Sequence, residues 1–187
     1  MRNGAMPNYR RRRIEGGQYF LTLATHQRRR ILCNSLARSL LRKAIAAEQA
    51  RRPFRLDAVV LLPDHVHMLL TLPYGDVDYS TRVAQIKKRF THEWLLAGGS
   101  EGYPTASRQR QRIRGVWEKR FWEHTIADRR DFVRHLDYIH VNPVKHGLVQ
   151  WPKDWPWSTF RQYVRKGTYE PDWCGNVDEP WTIYIEP

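Results

Sequence analysis

The chain is short of cysteine, of acidic residues and of long apolar runs, and each shortage closes a class of explanation. Its two cysteines, Cys33 and Cys174, stand alone, without the close spacing of a disulfide framework or a thiolate zinc site. No stretch approaches the unbroken apolar length of a membrane-spanning helix, and the arginines of residues 1–13 are followed by no hydrophobic core of a secretion signal. A cytoplasmic protein without membrane association is expected. No internal repeat is present. Acidic residues number 19 against 32 lysines and arginines, which gives the 187-residue chain a net charge of +13. With 41% hydrophobic and 12% aromatic residues, the composition is that of a folded protein with a basic surface rather than a disordered one. Nucleic acid is the natural partner for that charge.

The length fits one domain, 1–187, long enough to bury a core without staples. It begins with a basic N-terminal arm, 1–16, and ends in an irregular Trp-rich tail, 148–187. Gly16-Gly17 turns the chain into a strand over Gln18 to Thr25. Asn34, a good N-cap, opens a helix on Leu36, Leu40, Leu41 and Ile45 that Arg52-Pro53 ends. Ala58 to Leu62 and Val66 to Leu72 flank Pro63-Asp64 as an antiparallel hairpin. Val83, Ile86, Phe90 and Trp94 mark a second amphipathic helix. Ala97 to Gly115, rich in Gly, Ser, Gln and Arg, reads as a mobile loop, and Val116 to Trp122 as a further strand. A last helix runs from Asp131 to Asn142, where Pro143 and Gly147 stop it. This order predicts an α+β fold, a ferredoxin-like (RRM-like) antiparallel sheet with helices on one face.

Leu62-Pro63-Asp64-His65-Val66-His67 places two imidazoles one residue apart at the start of a strand. Strand alternation puts His65 and His67 on one face, the arrangement of a two-imidazole metal clamp, although two satisfied or exposed histidines produce the same spacing. In Asp137-Tyr138-Ile139-His140-Val141-Asn142-Pro143, Tyr138 and Asn142 lie one helical turn apart, away from the apolar arc of Phe132, Leu136 and Ile139. A packed tyrosine and a helix-ending asparagine would look alike. On a basic chain, the set suits phosphodiester cleavage: Tyr138 as nucleophile, and a metal held by His65, His67 and the Asn142 side-chain oxygen to polarise the phosphate. An amide, water and phosphate supply the oxygen ligands of Mg²⁺ or Mn²⁺. The basic groups Arg10, Arg11, Arg12 and Arg13, Lys87, Lys88 and the Arg108 to Arg114 loop are candidates for phosphate contacts, and Glu123 and His124 for lining or bracing the site.

The chain resembles the REP-associated tyrosine transposases, a branch of the single-tyrosine HUH endonucleases. The likeness covers roughly residues 9–175. It rests on Tyr9-Arg10-Arg11, Ile14-x-Gly16-Gly17, Leu62-Pro63-x-His65-x-His67, Ile86-Lys87-Lys88-x-Phe90-Thr91-His92, Arg120-Phe121-Trp122-Glu123-His124, Asp137-Tyr138-Ile139-x-x-Asn142-Pro143-Val144-Lys145-His146-Gly147, and Asp154-Trp155-Pro156-x-Ser158-Thr159-Phe160. The resemblance implies an HUH fold, His65 and His67 as metal ligands, Asn142 as third ligand where many relatives outside the branch carry Gln, and Tyr138 as nucleophile. Arg120, inside one matched segment, joins the DNA-binding candidates.

The resemblance also implies a substrate, single-stranded DNA folded into an imperfect palindromic hairpin beside a guide tetranucleotide. Cleavage would leave the 5′ phosphate on Tyr138 and free a 3′ hydroxyl that can later rejoin. A monomer in a bacterial cytoplasm, associated with the nucleoid, is expected. His140 departs from the pattern, where an aromatic such as tyrosine would be expected. Two other readings compete. One is a non-catalytic single-stranded nucleic-acid-binding module on an RRM-like sheet, with Tyr19 and Phe20 available for stacking but no good RNP pattern. The other is a basic DNA-bending factor, which lacks an apolar wedge.

Overall fold

A computed structural model describes residues 13–175. Arg10, Arg11 and Arg12 lie outside the described residues, as does the end of the tail. The elements run β1 (Gln18–Ala24), α1 (Ser35–Arg51), β2 (Arg55–Leu61), β3 (His65–Thr71), α2 (Tyr79–Leu96), α3 (Ala106–Arg110), β4 (Trp122–Thr125), α4 (Arg129–Lys145) and α5 (Phe160–Arg165). The sheet order is β2-β3-β1-β4 with antiparallel pairing throughout, the ferredoxin-like arrangement expected from the order of elements. Among the described residues no helix is long and apolar enough to cross a membrane.

Alternation divides the sheet into two chemistries. Tyr19, Leu21, Leu23, Val66, Met68 and Leu70 meet α1 and α2 in one apolar core. Phe20, Ala58, Val60 and Leu69 meet α4, α5 and the segment around Trp155 in a second. The two expected helices thus share one face, and α4 covers the other. Every β3 residue before Thr71 is consequently buried, which explains an apolar run interrupted only by two histidines.

Local rules set the ends of most elements. Asn34 caps α1 by accepting from Ala37 N at 2.7 Å, and Asp78 caps α2 by accepting from Thr81 N at 2.9 Å. Pro143 lies inside α4 rather than beyond it. The last turn survives because Gly147 N and Leu148 N return to the carbonyls of Val144 and Pro143 at 2.8 and 2.9 Å, with Gly147 at φ +64°. The expected strand over Val116 to Trp122 shrinks to one bridge, Thr25 to Trp117, and pairing resumes only at β4.

The expected mobile loop of 97–115 is instead tied down and contains α3. Trp94 Nε1 donates to Ser100 O at 2.8 Å, Gly102 N donates to Gly115 O at 2.8 Å, and Arg114 grips Glu101 at 2.5–3.0 Å. A Cβ on Gly115 would stand 2.0 Å from Gly102 O, a backbone atom. Gly115→Ala should therefore destabilise the protein by about 1–3 kcal/mol through overpacking. A thermal melt checks this: an unchanged midpoint would contradict the anchoring of this segment.

Candidate active site

The tight Pro63-Asp64 turn, closed by Leu62 N donating to His65 O at 2.9 Å, launches β3 so that its first and third side chains face α4. His65 and His67 are each 1% exposed, and their ring centroids lie 4.8 Å apart. Each ring is fixed through Nδ1. His65 Nδ1 is 2.8 Å from Asp64 Oδ1, and His67 Nδ1 is 2.8 Å from Thr22 Oγ1 on the neighbouring strand. The Asp64 carboxylate accepts a hydrogen bond from His65 Nδ1–H, so Nε2 keeps its lone pair, the form a metal ligand needs. Burial pushes the Asp64 carboxyl up, but the hydrogen bond from His65 and the charge of Arg28 outweigh it and hold the group below its usual range.

Tyr138 and Asn142 of α4 and His146, the residue that caps its C-terminus, are spaced by four and form a stripe along this pair. The Tyr138 ring lies 5.3 Å from that of His67, and the His146 ring 5.2 Å from that of His65. Asn142, midway between them on the helix, is fully buried. Neither its Nδ2 nor its Oδ1 has a hydrogen-bond partner, nor does the buried Nε2 of His65. Buried polar atoms left in this state cost stability. Two buried imidazoles on β3 and a buried amide without partners on the helix packed over them are a donor set whose chemistry fits a divalent cation, and the last turn of α4, where its dipole is negative, favours one.

Tyr138 is buried, not set apart from the core as the helical arc suggested. The reason is the second cover on α4: the sheet lies on one side and the segment bearing Phe160, Tyr169 and Trp173 on the other. Phe20 meets the phenol ring edge-on at 5.7 Å, and Lys145 Nζ stands 4.9 Å from its centroid. His140 points the opposite way, into a box of Phe160, Tyr163 and Tyr169, with Nε2 3.0 Å from Thr159 Oγ1. It fills an aromatic's place in packing, away from the histidine pair.

Glu123 and His124 part company. Register puts Glu123 opposite Leu21 and His124 opposite Phe20, so Glu123 faces α1 and α2 while only His124 shares the face of His65 and His67. His124 belongs to its own cluster. Its Nε2 is 2.8 Å from Asp131 Oδ2, His135 Nδ1 is 3.0 Å from Asp131 Oδ1, and the three ligand atoms lie within 4.8 Å. Asp131 Oδ2 also accepts from Ala127 N at 2.8 Å, so the carboxylate is already engaged in tying β4 to the start of α4.

The basic candidates divide likewise. Lys87 Nζ donates to Glu118 O at 2.6 Å, which anchors residues 118–120. Arg108 is spent on Trp117 O at 2.6 Å and on Glu118 at 3.3 Å. Lys88 and Arg13 are exposed. Arg120 lines a groove of about 640 Å³ whose floor includes Thr22. Arg28 and Arg30, missed in the sequence, border a second cavity of about 230 Å³ at His65. Tyr19 and Phe20, the stacking candidates of the binding-module reading, are both buried under helices, 0% and 1% exposed, so neither face of the sheet offers them to bases.

A sheet carrying paired histidines beneath a helix-borne tyrosine is the architecture of a single-tyrosine HUH enzyme. The comparisons make the class particular. The family model "Transposase IS200 like" matches residues 13–142. A REP-associated tyrosine transposase of Escherichia coli K12 is 42% identical over 93% of this chain and 94% of its own length. A Haemophilus influenzae relative of that description is 40% identical over 92% of this chain and 96% of its own. A solved REP-associated tyrosine transposase, bound to a REP hairpin, superposes with a TM-score of 0.77 at 40% identity, covering 93% of this chain and 94% of that one. The chain belongs to the IS200-like transposases, in the branch of the REP-associated tyrosine transposases.

Burial holds the His135 imidazole at about 4, the bond to the Asp131 carbonyl only partly opposing it. The unfolded chain therefore binds a proton that the folded one refuses between pH ~6.5 and ~4, so this contribution is complete above the window and lost as pH falls through it. Its ceiling is about 3 kcal/mol. Denaturant unfolding at pH 7.5 and pH 5 should show the loss, and His135→Phe should reduce its size; an identical loss in the variant would contradict the assignment.

Proposed function

We propose that this transposase cuts and rejoins single-stranded DNA beside a REP-type hairpin, with Tyr138 as nucleophile and His65, His67 and Asn142 as ligands of a divalent cation. The observation that carries the reading is the buried amide of Asn142, both of its polar atoms without a hydrogen-bond partner, on the same helical stripe as the tyrosine that touches His67.

The Tyr138 oxygen attacks the scissile phosphorus, forming the tyrosyl O–P bond while the bond from phosphorus to the 3′ oxygen breaks. Overall the phenolic hydrogen is replaced by the 5′ phosphoryl group and the leaving oxygen ends as a 3′ hydroxyl. Attack by that or another 3′ hydroxyl reverses the step, and the phosphotyrosine conserves the ester energy in between. Asp64 and Thr22 hold the two imidazoles in ligand orientation, and Phe20 holds the phenol ring against rotation. When bound, Mg²⁺ or Mn²⁺ supplies Lewis-acid polarisation of the phosphate. The full burial of Tyr138 requires local opening of its cover before the strand reaches it.

A guide tetranucleotide next to the hairpin, a monomeric enzyme and a location in the cytoplasm at the nucleoid complete the reading. They rest on the family resemblance, while the hairpin held by the solved relative supports the hairpin partner. Arg13, Lys88 and Arg120, with Arg10 to Arg12, are phosphate-binding residues in this account, and Lys87 acts through the 118–120 segment it anchors.

Denaturing gels of end-labelled, flanked hairpin test the chemistry. Tyr138→Phe should lower cleavage by about a thousandfold or more with hairpin affinity within about twofold, because only the attacking oxygen is lost. His65→Ala should remove most Mg²⁺- or Mn²⁺-dependent cleavage. Undiminished cutting by Tyr138→Phe, or equal activity of the wild type in chelator, would overturn the assignment.

A further inference from the structure

Gln27 and Arg28 are consecutive non-glycine residues with φ of +57° and +53°, a conformation that costs energy and persists only where the surroundings impose it. They are imposed upon from both sides. Thr25 N donates to Asp64 O at 2.8 Å and Thr25 Oγ1 lies 2.9 Å from the same oxygen. On the other side Gln27 N donates to Glu118 Oε1 at 3.0 Å, which also receives His26 Nδ1 at 2.9 Å. The turn is thereby clamped between the start of β3 and the segment before β4.

The clamp places Arg28 on the boundary of two cavities. One, about 230 Å³, is lined by Arg28, Arg30, Asp64, His65 and His146 and opens onto the first ligand histidine. The other, about 640 Å³, is lined by Thr22, Arg28, Lys119, Arg120, Phe121 and Trp122 and opens onto Thr22, the residue that holds the second. Both cavities combine cations with rings. Phe121 and Trp122 are half-buried, the disposition of aromatics on which unpaired bases stack, while the guanidiniums suit phosphate. Arg28 lies 3.6 Å from Asp64 Oδ2, a loose pair that a phosphate can exchange.

We propose that the unpaired DNA strand crosses from the groove to the cavity over Arg28, whose guanidinium binds a backbone phosphate next to the scissile one. Arg28 thus divides the strand into the part stacked on Phe121 and Trp122 and the part leaving past His65 and His146. The proposal rests on the strand-cleavage reading above and adds to it a residue that touches substrate.

The test compares a REP hairpin carrying a single-stranded flank with the same stem-loop lacking it, using wild type, Arg28→Ala, Arg28→Gly and Arg28→Lys. Glycine accepts the turn's backbone without strain, so loss of fold in the alanine variant does not obscure the result. Arg28→Ala and Arg28→Gly should cleave the flanked substrate at least tenfold more slowly in kcat/KM, with Arg28→Lys recovering part of the loss. For the flanked DNA alone, the slope of log affinity against log salt should fall by about 0.7, one single-strand phosphate contact. Affinity for the flankless stem-loop should stay within twofold. A mere effect on His65 through Asp64 would leave the salt slope untouched. Wild-type cleavage and an unaltered slope in Arg28→Gly would overturn the proposal, as would equal loss of affinity for both DNAs. If Tyr138→Phe still cuts, the parent reading fails instead, and the salt slope continues to report on Arg28.

Discussion

Desolvation of a few polar side chains at one crossing is the constraint on which the rest of the structure depends. β3 and α4 bring His65, His67 and Asn142 out of water, and Asn142 receives no hydrogen bond in return. A fold bears such a cost where the groups serve a ligand. Much of the remaining architecture can be understood as holding that crossing in place. Thr22 and Asp64 fix the rings, Gly147 closes the last turn of α4, and Trp155 Nε1 donates to Leu61 O at 2.9 Å to fasten the tail onto the hairpin that carries the histidines.

Covering both faces of a four-stranded sheet has a chemical consequence. An open RRM-like face would expose aromatics to bases along its whole width. Here α4 converts that face into a core, and the cavities beside His65 and Thr22 open elsewhere, at the start of β3 and between β1 and the segment before β4. The positive charge is distributed with the same economy. Some of the cations that look like nucleic-acid contacts in the sequence, Arg108 and Arg114 above all, hold the 97–118 segment together, whereas the less conspicuous Arg28 and Arg30 stand at the site.

Periodicity made the strands and the long helices legible, because a buried strand and an amphipathic helix each repeat their apolar residues at a fixed interval. It also made the histidine pair legible, since alternation alone puts His65 and His67 on one face. It failed for Tyr138, whose burial comes from a second layer contributed by residues 155–173, too distant in sequence for any local pattern to report. Glu123 was misplaced for a related reason: the strand starts at Trp122 rather than Val116, and only its pairing with β1 decides which neighbour faces the histidines. The Gln27-Arg28 turn left no glycine to mark it, because tertiary bonds from Asp64 and Glu118, not local preference, impose its conformation.

The most direct test of the central claim is crystallographic: Mn²⁺ soaked into the protein and located by its anomalous scattering. The account expects one strong peak bounded by His65 Nε2, His67 Nε2 and Asn142 Oδ1, absent from an Asn142→Leu crystal prepared alike. A peak held instead by His124, Asp131 and His135, with none at the crossing of β3 and α4, would contradict it.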